Sequence, residues 1–369
     1  MIFQAILIVV IFVFCLFSGI PIGFSICIPA MTVMLINDLE LMVAPQMITK
    51  GAQSFTLLAV PFFILAGNLM NSAGITRRIF NFCLALVGHI RGGLGHVNVL
   101  ASMIFAGISG SAAADAAGLG KIEMKAMRDT GYDENFAAAV TAASSVIGPI
   151  IPPSIIMVIY ATEANISVGN MFKAGLMPGI LVGLALMATV AVMVARGEPT
   201  PPPAKFSLPN LLTATKEGIL AVISPAIILL GMFSGSFSPT EAGVVAVVYS
   251  LLIGFLYKEI SIKELPEIFR ESAITTAQCI FVTACATLLS WVVTFTRIPI
   301  FVSDALFSIT DDKWVFLLLV NLFLLVLGCF MESIAGLLVI LPIILPIALQ
   351  LGIDPLHFGV ICCYNMMIG

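Results

Sequence analysis

Charge is what this 369-residue sequence has least of. Asp, Glu, Lys and Arg supply 10% of it, while 60% is hydrophobic; a typical soluble domain carries roughly 25% charged residues. A water-soluble body of this size could not cover its surface with so few charges. The composition instead leaves room for roughly six or more apolar spans of about 20 residues each. Sixteen Lys and Arg against 20 Asp and Glu give a net charge of −4, which offers no basic footprint for nucleic acid. The three histidines (His89, His96, His357) are too few and too scattered for a zinc or haem site. None of the eight cysteines shows CxxC spacing, and all lie in apolar segments, where they read as small hydrophobes rather than disulfide partners or metal ligands. No Walker A sequence is present, so this chain does not itself bind nucleotide by that motif. The N-terminal MIFQAILIVVIFVF lacks a basic n-region and a small-residue cleavage site, and reads as a retained first helix.

What is present is a succession of apolar runs. Residues 1–36 hold no charged residue, and as one helix they would measure about 54 Å, almost twice a bilayer core. The break at Ser18–Gly23 divides them into spans near 2–17 and 24–37. A further span is expected at 54–72, a short amphipathic arm at 79–90, a Gly/Ala/Ser-rich hairpin from 93 to 120, and spans at 135–162 and 168–195. The Pro-rich stretch after Arg196 cannot be helical throughout and marks a linker, 196–216. Beyond it come spans at 219–235, 240–257 and 273–296, an arm at 299–310, a hairpin from the runs 314–330 and 333–350, and a last run at 356–369.

The linker separates two similar halves, 1–195 and 217–369. With residue n laid over n + 221, Gly107 falls on Gly328, Gly131 on Gly352, Asp133 on Asp354 and Gly148 on Gly369. Both halves share one order of elements: scaffold spans (1–72 and 219–257, with 273–296), an arm, a hairpin, and a broken span (93–162 for the first hairpin and break). Such self-similarity predicts an internal repeat. If the spans alternate and each Gly-rich segment enters and leaves on one side, twelve cationic residues share a side, among them Arg77, Lys125 and Arg270. Lys50, Lys173, Arg297 and Lys313 take the other. The positive-inside rule then puts the linker in the cytoplasm, opens the first hairpin inward and the second outward, and makes the repeat inverted. The predicted class is an all-α polytopic membrane protein with two inverted repeats, each carrying a re-entrant hairpin and a broken helix. That is the layout of a secondary transporter with its site at the midplane.

Two segments could carry chemistry. In Gly107-Ile-Ser-Gly-Ser-Ala-Ala-Ala-Asp-Ala-Ala-Gly-Leu-Gly120, four glycines predict a poor helix with a non-helical tip, tolerated at membrane depth only where it lines protein or water. The alternative is a small-residue packing face, against which Asp115 argues, because a carboxylate in so apolar a stretch needs a partner. Its facing segment, Thr141–Ser154, carries Pro149, Pro152 and Pro153, which forbid a regular ladder; Ser144, Ser145, Gly148 and Ser154 surround the expected break. The alternative there is a plain proline kink without a ligand. In the second half the corresponding tip is Gly328–Gly336, with Glu332 and Ser333, and the matching break would begin beyond Gly369. Gly107-Ile-Ser109-Gly110 also fits the GxSG of intramembrane serine proteases, but such a nucleophile needs a histidine on a nearby helix, and an enzyme is not expected. Gly235–Glu241 reads as an outside turn that opens a helix at Pro239, or as a contact for a partner protein.

The run Gly235–Tyr249 (GSFSPTEAGVVAVVY), the tip Ser109–Asp115 (SGSAAAD) and Ile151–Ile155 (IPPSI) together resemble the large membrane subunit of TRAP transporters, the tripartite ATP-independent periplasmic carriers of the ion-transporter superfamily. The resemblance covers the whole chain. It implies an elevator-type secondary transporter of the bacterial inner membrane, driven by a sodium gradient and taking up an organic acid such as a C4-dicarboxylate or sialic acid. It also implies a small four-helix membrane subunit, a periplasmic substrate-binding protein and a surround of membrane lipid as partners. With no small-subunit spans before Met1, that subunit is expected as a separate chain. Carried over by position, Na⁺ falls on Ser109, Gly110 and Ala112 with Ser144, Ser145 and Gly148, and on Gly328, Ser333 and Gly336 with Asn365 and Gly369. The second of these sites is expected to be incomplete without the segment after Gly369. Substrate contacts are expected at Ser111, Asp115, Ser154 and Glu332. A channel is the alternative, although it needs a continuous polar-lined pore where this sequence clusters its polar residues in two tips.

Overall fold

The computed structural model describes residues 2–203, 205–307 and 312–369. Met1, Ala204 in the linker, and 308–311, which include the end of the second predicted arm and Asp311, lie outside the described residues. Among the described residues the regular structure is helical. The first half comprises α1 (Ile2–Phe17), α2 (Ile22–Ile36), α3 (Val43–Ala52), a 3-10 turn at Phe55–Leu58, α4 (Ala59–Ser72), α5 (Ile75–Val87), α6 (Gly93–Ser109), α7 (Ala112–Thr130), α8 (Glu134–Ser145), α9 (Ile155–Glu163) and α10 (Val168–Ala195). The second comprises α11 (Leu208–Phe233), α12 (Pro239–Leu256), α13 (Leu265–Phe295), α14 (Ile298–Phe307), α15 (Lys313–Gly328), α16 (Ser333–Gln350) and α17 (Pro355–Ile368). Six of these stretches are long and apolar enough to cross a membrane: Phe55–Ser72, α10, α11, α12, α13 and α16.

Three expectations need correction. The linker ends at Ser207 rather than 216. The Ser207 side chain accepts from Asn210 N–H and Pro209 sits in the first turn, so the polar sequence before the apolar run is itself a helix start. The arm begins at Ile75, released by Gly74 in the left-handed region. Helix α3 was not foreseen, because its ten residues contain Pro45 and Lys50 and lack a continuous apolar run.

The repeat survives in register. Gly131 and Gly352 both take positive φ, +90° and +69°, and Asp133 and Asp354 both cap the next helix through their carboxylates. Helices α6, α7 and α8 thus correspond one by one with α15, α16 and α17. The turn at Gly235–Glu241 is a capping box: Ser238 accepts from Glu241 N–H, and the Glu241 carboxylate accepts from Ser238 N–H, which satisfies two orphan donors at once.

The chain forms two compact units. The terminal unit takes Met1–Leu58, Ile156–Met171 and Ile274–Gly369; the central unit takes Ala59–Ile155 and Phe172–Ala273. In the terminal unit Ile8, Phe12, Ile26, Val33 and Met34 pack with Leu288, Leu289 and Val292, and buried Tyr160 donates its hydroxyl to Pro355 O at 2.7 Å. In the central unit Leu69, Met70, Ile79, Phe105, Leu119, Phe136 and Ile147 belong to one core. Helix pairing here depends on small residues, since lipid is as apolar as leucine and burial alone favours no partner. A Cβ on Gly243 of α12 would lie 2.7 Å from Phe62 Cβ of α4, so that pair closes only with glycine.

Candidate functional site

In the central unit the first hairpin turns in two residues. Gly110 ends α6 in the left-handed region at φ +59°, where glycine meets no Cβ penalty. Ser111 is extended and caps α7, its Oγ accepting from Ala114 N–H at 3.4 Å. The predicted break is also present. Helix α8 stops at Ser145, 146–154 run as turns and bends, and α9 resumes at Ile155. Short i→i+3 bonds follow, Ile147 N–H to Ser144 O and Gly148 N–H to Ser145 O, before the prolines withdraw their donors.

Tip and break meet backbone to backbone. A Cβ on Gly110 would lie 2.5 Å from Pro153 O, and one on Gly148 would lie 3.1 Å from Ser111 O. Only glycine permits the first approach, and at the second the facing backbone would have to give. Ser109, Gly110, Ser111, Gly148 and the region of Ser154 are therefore brought together as expected, with Ser144 and Ser145 at the end of α8. Ser145 Oγ donates to Ala142 O at 2.9 Å, leaving lone pairs as acceptors. Ser109 Oγ is buried without a hydrogen-bond partner. The same place gathers the N-terminus of α7 and the C-terminal ends of α6 and α8, which bear opposite partial charges. Hydroxyls and main-chain carbonyls are hard oxygen donors of the kind that hard cations take.

Asp115, in the first turn of α7, is 1% exposed. The partner its burial was expected to require is not there: neither carboxylate oxygen closes a hydrogen bond. Fully buried Ser102 of α6 lies beside it, yet its own hydroxyl closes no bond either; the buried Glu123 carboxylate of α7 also interacts with it electrostatically. Two unsatisfied groups side by side in a buried place, each costing about 1–3 kcal/mol if left so, fit a position that a cation or a polar ligand group completes. The stretch 107–120 proves to be two things. Its first part is the tip; its last part, with Gly118 and Gly120, is regular α7. A Cβ on Gly120 would lie 2.9 Å from Thr141 Cγ2 of α8, which is the small-residue packing face.

In the terminal unit the second tip runs from Gly328, which ends α15, to Glu332, whose carboxylate caps α16 by accepting from Ala335 N–H at 3.0 Å. Glu332 thus holds the repeat position of Ser111, and Gly336 that of Asp115. Ser333 Oγ donates to Met366 O at 2.8 Å. A Cβ on Gly328 would lie 3.0 Å from Gly369 Cα, and Gly336 abuts the Met366 side chain. Gly328, Ser333, Gly336, Asn365 and Gly369 therefore assemble within one unit.

Sequence reasoning missed Ser102, Asn98, Glu123 and Asn321. Glu123 of α7 is buried with one unpartnered oxygen. Ser102 stands seven residues before Ser109, on the same face of α6, and Asn98 and Asn321 are lone amides in apolar helices. That isolation was the available signal.

Residues 9–369 match the family described as "Tripartite ATP-independent periplasmic transporter, DctM component". The chain is 46% identical over 357 residues to the sialic acid TRAP transporter large permease protein SiaM of Vibrio cholerae, covering 96% of this chain and 83% of that protein. It is 40% identical over 341 residues to the C4-dicarboxylate TRAP transporter large permease protein DctM of Pseudomonas aeruginosa, covering 92% and 80%. The Alcanivorax borkumensis YdaH transporter shares the fold, with a TM-score of 0.57 at 13% identity over 85% of this chain and 74% of that one. With its many apolar helices, two helical hairpins and matched tips, the chain belongs to the DctM family, the large multi-pass inner-membrane permeases of TRAP transporters.

Proposed function

We propose that this chain carries an organic acid anion inward by secondary active transport coupled to sodium. The observation that supports this most directly is the tip of the first hairpin pressed on the break of α8–α9, with Ser109 Oγ buried and unbonded beside them. Sodium is held there by Ser109, Gly110, Ala112, Ser144, Ser145 and Gly148, and in the second half by Gly328, Ser333, Gly336, Asn365 and Gly369. Neutral oxygens hold the ion without binding it irreversibly, and Asp115 offsets its charge. Once the tip is neutralised, an anion can approach the α7 N-terminus without crossing an uncompensated carboxylate. Ser111, Asp115 and Ser154 then provide hydrogen-bonding groups for substrate in the central unit, and Glu332 provides one in the terminal unit. Relatives named for sialic acid and for C4-dicarboxylates have substrates that share a carboxylate, which sets the class.

In this reading the two repeats are inverted, the hairpins move as an elevator, and a periplasmic binding protein delivers substrate. The fixed scaffold that binds a small four-helix membrane subunit is α1 and α2 in the terminal unit and α11 and α12 in the central unit. Crosslinks from that subunit confined to 93–162 would exclude this assignment. The ion site is tested by initial uptake against sodium concentration, in proteoliposomes of the full complex at saturating substrate. Ser145→Ala and Gly148→Val should each raise the sodium needed roughly 5- to 150-fold, the equivalent of losing one ligand worth about 1–3 kcal/mol. An unchanged sodium dependence in both, with the protein folded and present, places the ion elsewhere.

A further inference from the structure

Each unit contains one more polar link, made to a proposed sodium ligand by an asparagine that none of the site assignments uses. In the central unit Asn98, fully buried on α6, donates from Nδ2 to Thr141 Oγ1 of α8 at 2.8 Å. Its Oδ1 accepts from the hydroxyl of Ser144. Ser144 is the last residue but one of α8, so the link grips that helix just before it unwinds. In the terminal unit Asn321 of α15 makes one such bond: its Oδ1 accepts from Asn365 Nδ2 of α17 at 2.6 Å, while its own Nδ2 donates back to Leu317 O of α15 at 2.6 Å.

Asn365 is the repeat position of Ser144, n + 221. Asn321 is not the repeat position of Asn98; it stands two residues further along. The residues therefore differ in identity and in register, yet each unit closes one contact: an amide oxygen on the first hairpin helix accepts a hydrogen bond from the same repeat position on the helix after the hairpin. A contact built twice from different residues reflects a geometric need of both sites.

That need has a physical origin. The last turn of a helix leaves up to four carbonyls without intrahelical partners, and an end at membrane depth cannot use bulk water to satisfy them. Asn98 does not cap those carbonyls; it holds this end of α8 through the side chains of Thr141 and Ser144, which sets the spacing of Ser145, Gly148 and the tip. The grip also constrains Ser144. Its single hydroxyl proton is shared between Asn98 Oδ1 and Thr141 O, the latter at 3.0 Å, which fixes its rotamer toward α6.

We infer that Asn98 and Asn321 are positioning residues for the two ion sites, latching α8 and α17 to the first hairpin helix of their units so that the sodium ligands stay at binding distance. This rests on the sodium reading given above. The experiment uses the full complex in proteoliposomes and measures three quantities for Asn98→Ala and Asn321→Ala. These are the sodium concentration for half-maximal uptake, the substrate KM at saturating sodium, and the maximal rate. For Asn98→Ala the half-maximal sodium concentration should rise about tenfold, equivalent to about 1.4 kcal/mol. For the less buried Asn321 it should rise about threefold, as for a hydrogen bond at the lower end of the usual range. Substrate KM and maximal rate at saturating sodium should stay within about twofold, because excess ion restores the ligand geometry.

A fall in maximal rate at unchanged sodium dependence would mean that the amides only help the protein fold, and overturns the proposal. If Asn98→Ala does not reach the membrane folded, Asn321→Ala decides alone. Ser145→Ala and Gly148→Val, measured alongside, separate the two layers. A shift in those variants with none in the asparagine variants overturns the latch and leaves the ion site in place. No shift in any of the four overturns both.

Discussion

The two hairpin tips have the same frame and different charges. In the first, the chain reverses through Gly110 and Ser111, and a carboxylate lies one turn inside at Asp115, buried. In the second, the reversal takes 329–332, the cap is itself a carboxylate, Glu332, exposed at the tip, and the place of Asp115 is Gly336. Caps and glycines recur because the backbone must turn and start helices at the same points in both halves. Charge does not recur, so two similar scaffolds present different electrostatics. In the central unit the carboxylate is buried beside Ser102; in the terminal unit it caps a helix start and is exposed.

The sharpest way to break this comparison is topological, because its outcome is all or none. Lys125, exposed on α7 after the first tip, and Lys313, exposed at the start of α15, should as single cysteines be labelled from opposite sides of the membrane. Labelling of both from one side removes the inversion, and the midplane site with it. Next in size is Gly110→Val, in which a branched side chain must adopt φ +59° against Pro153 O. Uptake at any sodium concentration should fall by about 100-fold or more, and retained transport would mean that tip and break separate during the cycle. Asp115→Asn should raise the half-maximal sodium concentration roughly 10- to 150-fold, since a charged partner contributes about 1.5–3 kcal/mol. The second half offers no carboxylate at the matching place to compensate. The smallest effects are the caps: Ser111→Ala and Glu332→Ala should each cost about 1 kcal/mol, read as a lowered melting temperature of the purified complex. Unequal losses would show which tip relies more on its cap.

Much of this fold was legible because membrane helices announce themselves. Apolar runs, Pro21, Pro149, Pro152 and Pro153, and the paired Gly131/Gly352 and Asp133/Asp354 placed the breaks, the repeat and most spans to within a few residues, while α11 and α13 begin 11 and 8 residues before their expected starts at 219 and 273. The tip at Ser109–Ser111 was legible for a related reason: a glycine between two serines supplies a left-handed residue and a cap in the same three positions. Less legible were the elements without an apolar signature. Helix α3 hides a proline and a lysine, and the start of α11 looks like the end of a polar linker until Ser207 and Pro209 are recognised as helix-start residues.

By itself, then, the sequence determined the class, the order of spans, the repeat and the two segments whose backbone cannot stay helical. These follow from transfer free energy and from the missing donors of proline, which act locally. Only the tertiary structure decided which groups end up satisfied. That Asp115 faces Ser102 without a bond, that Glu332 stands where Ser111 stands, and that Asn98 and Asn321 grip different partners at one repeat position all depend on which helix face meets which neighbour. In a lipid-like surround, burial favours no particular face, and small residues and hydrogen bonds between segments far apart in sequence make the choice.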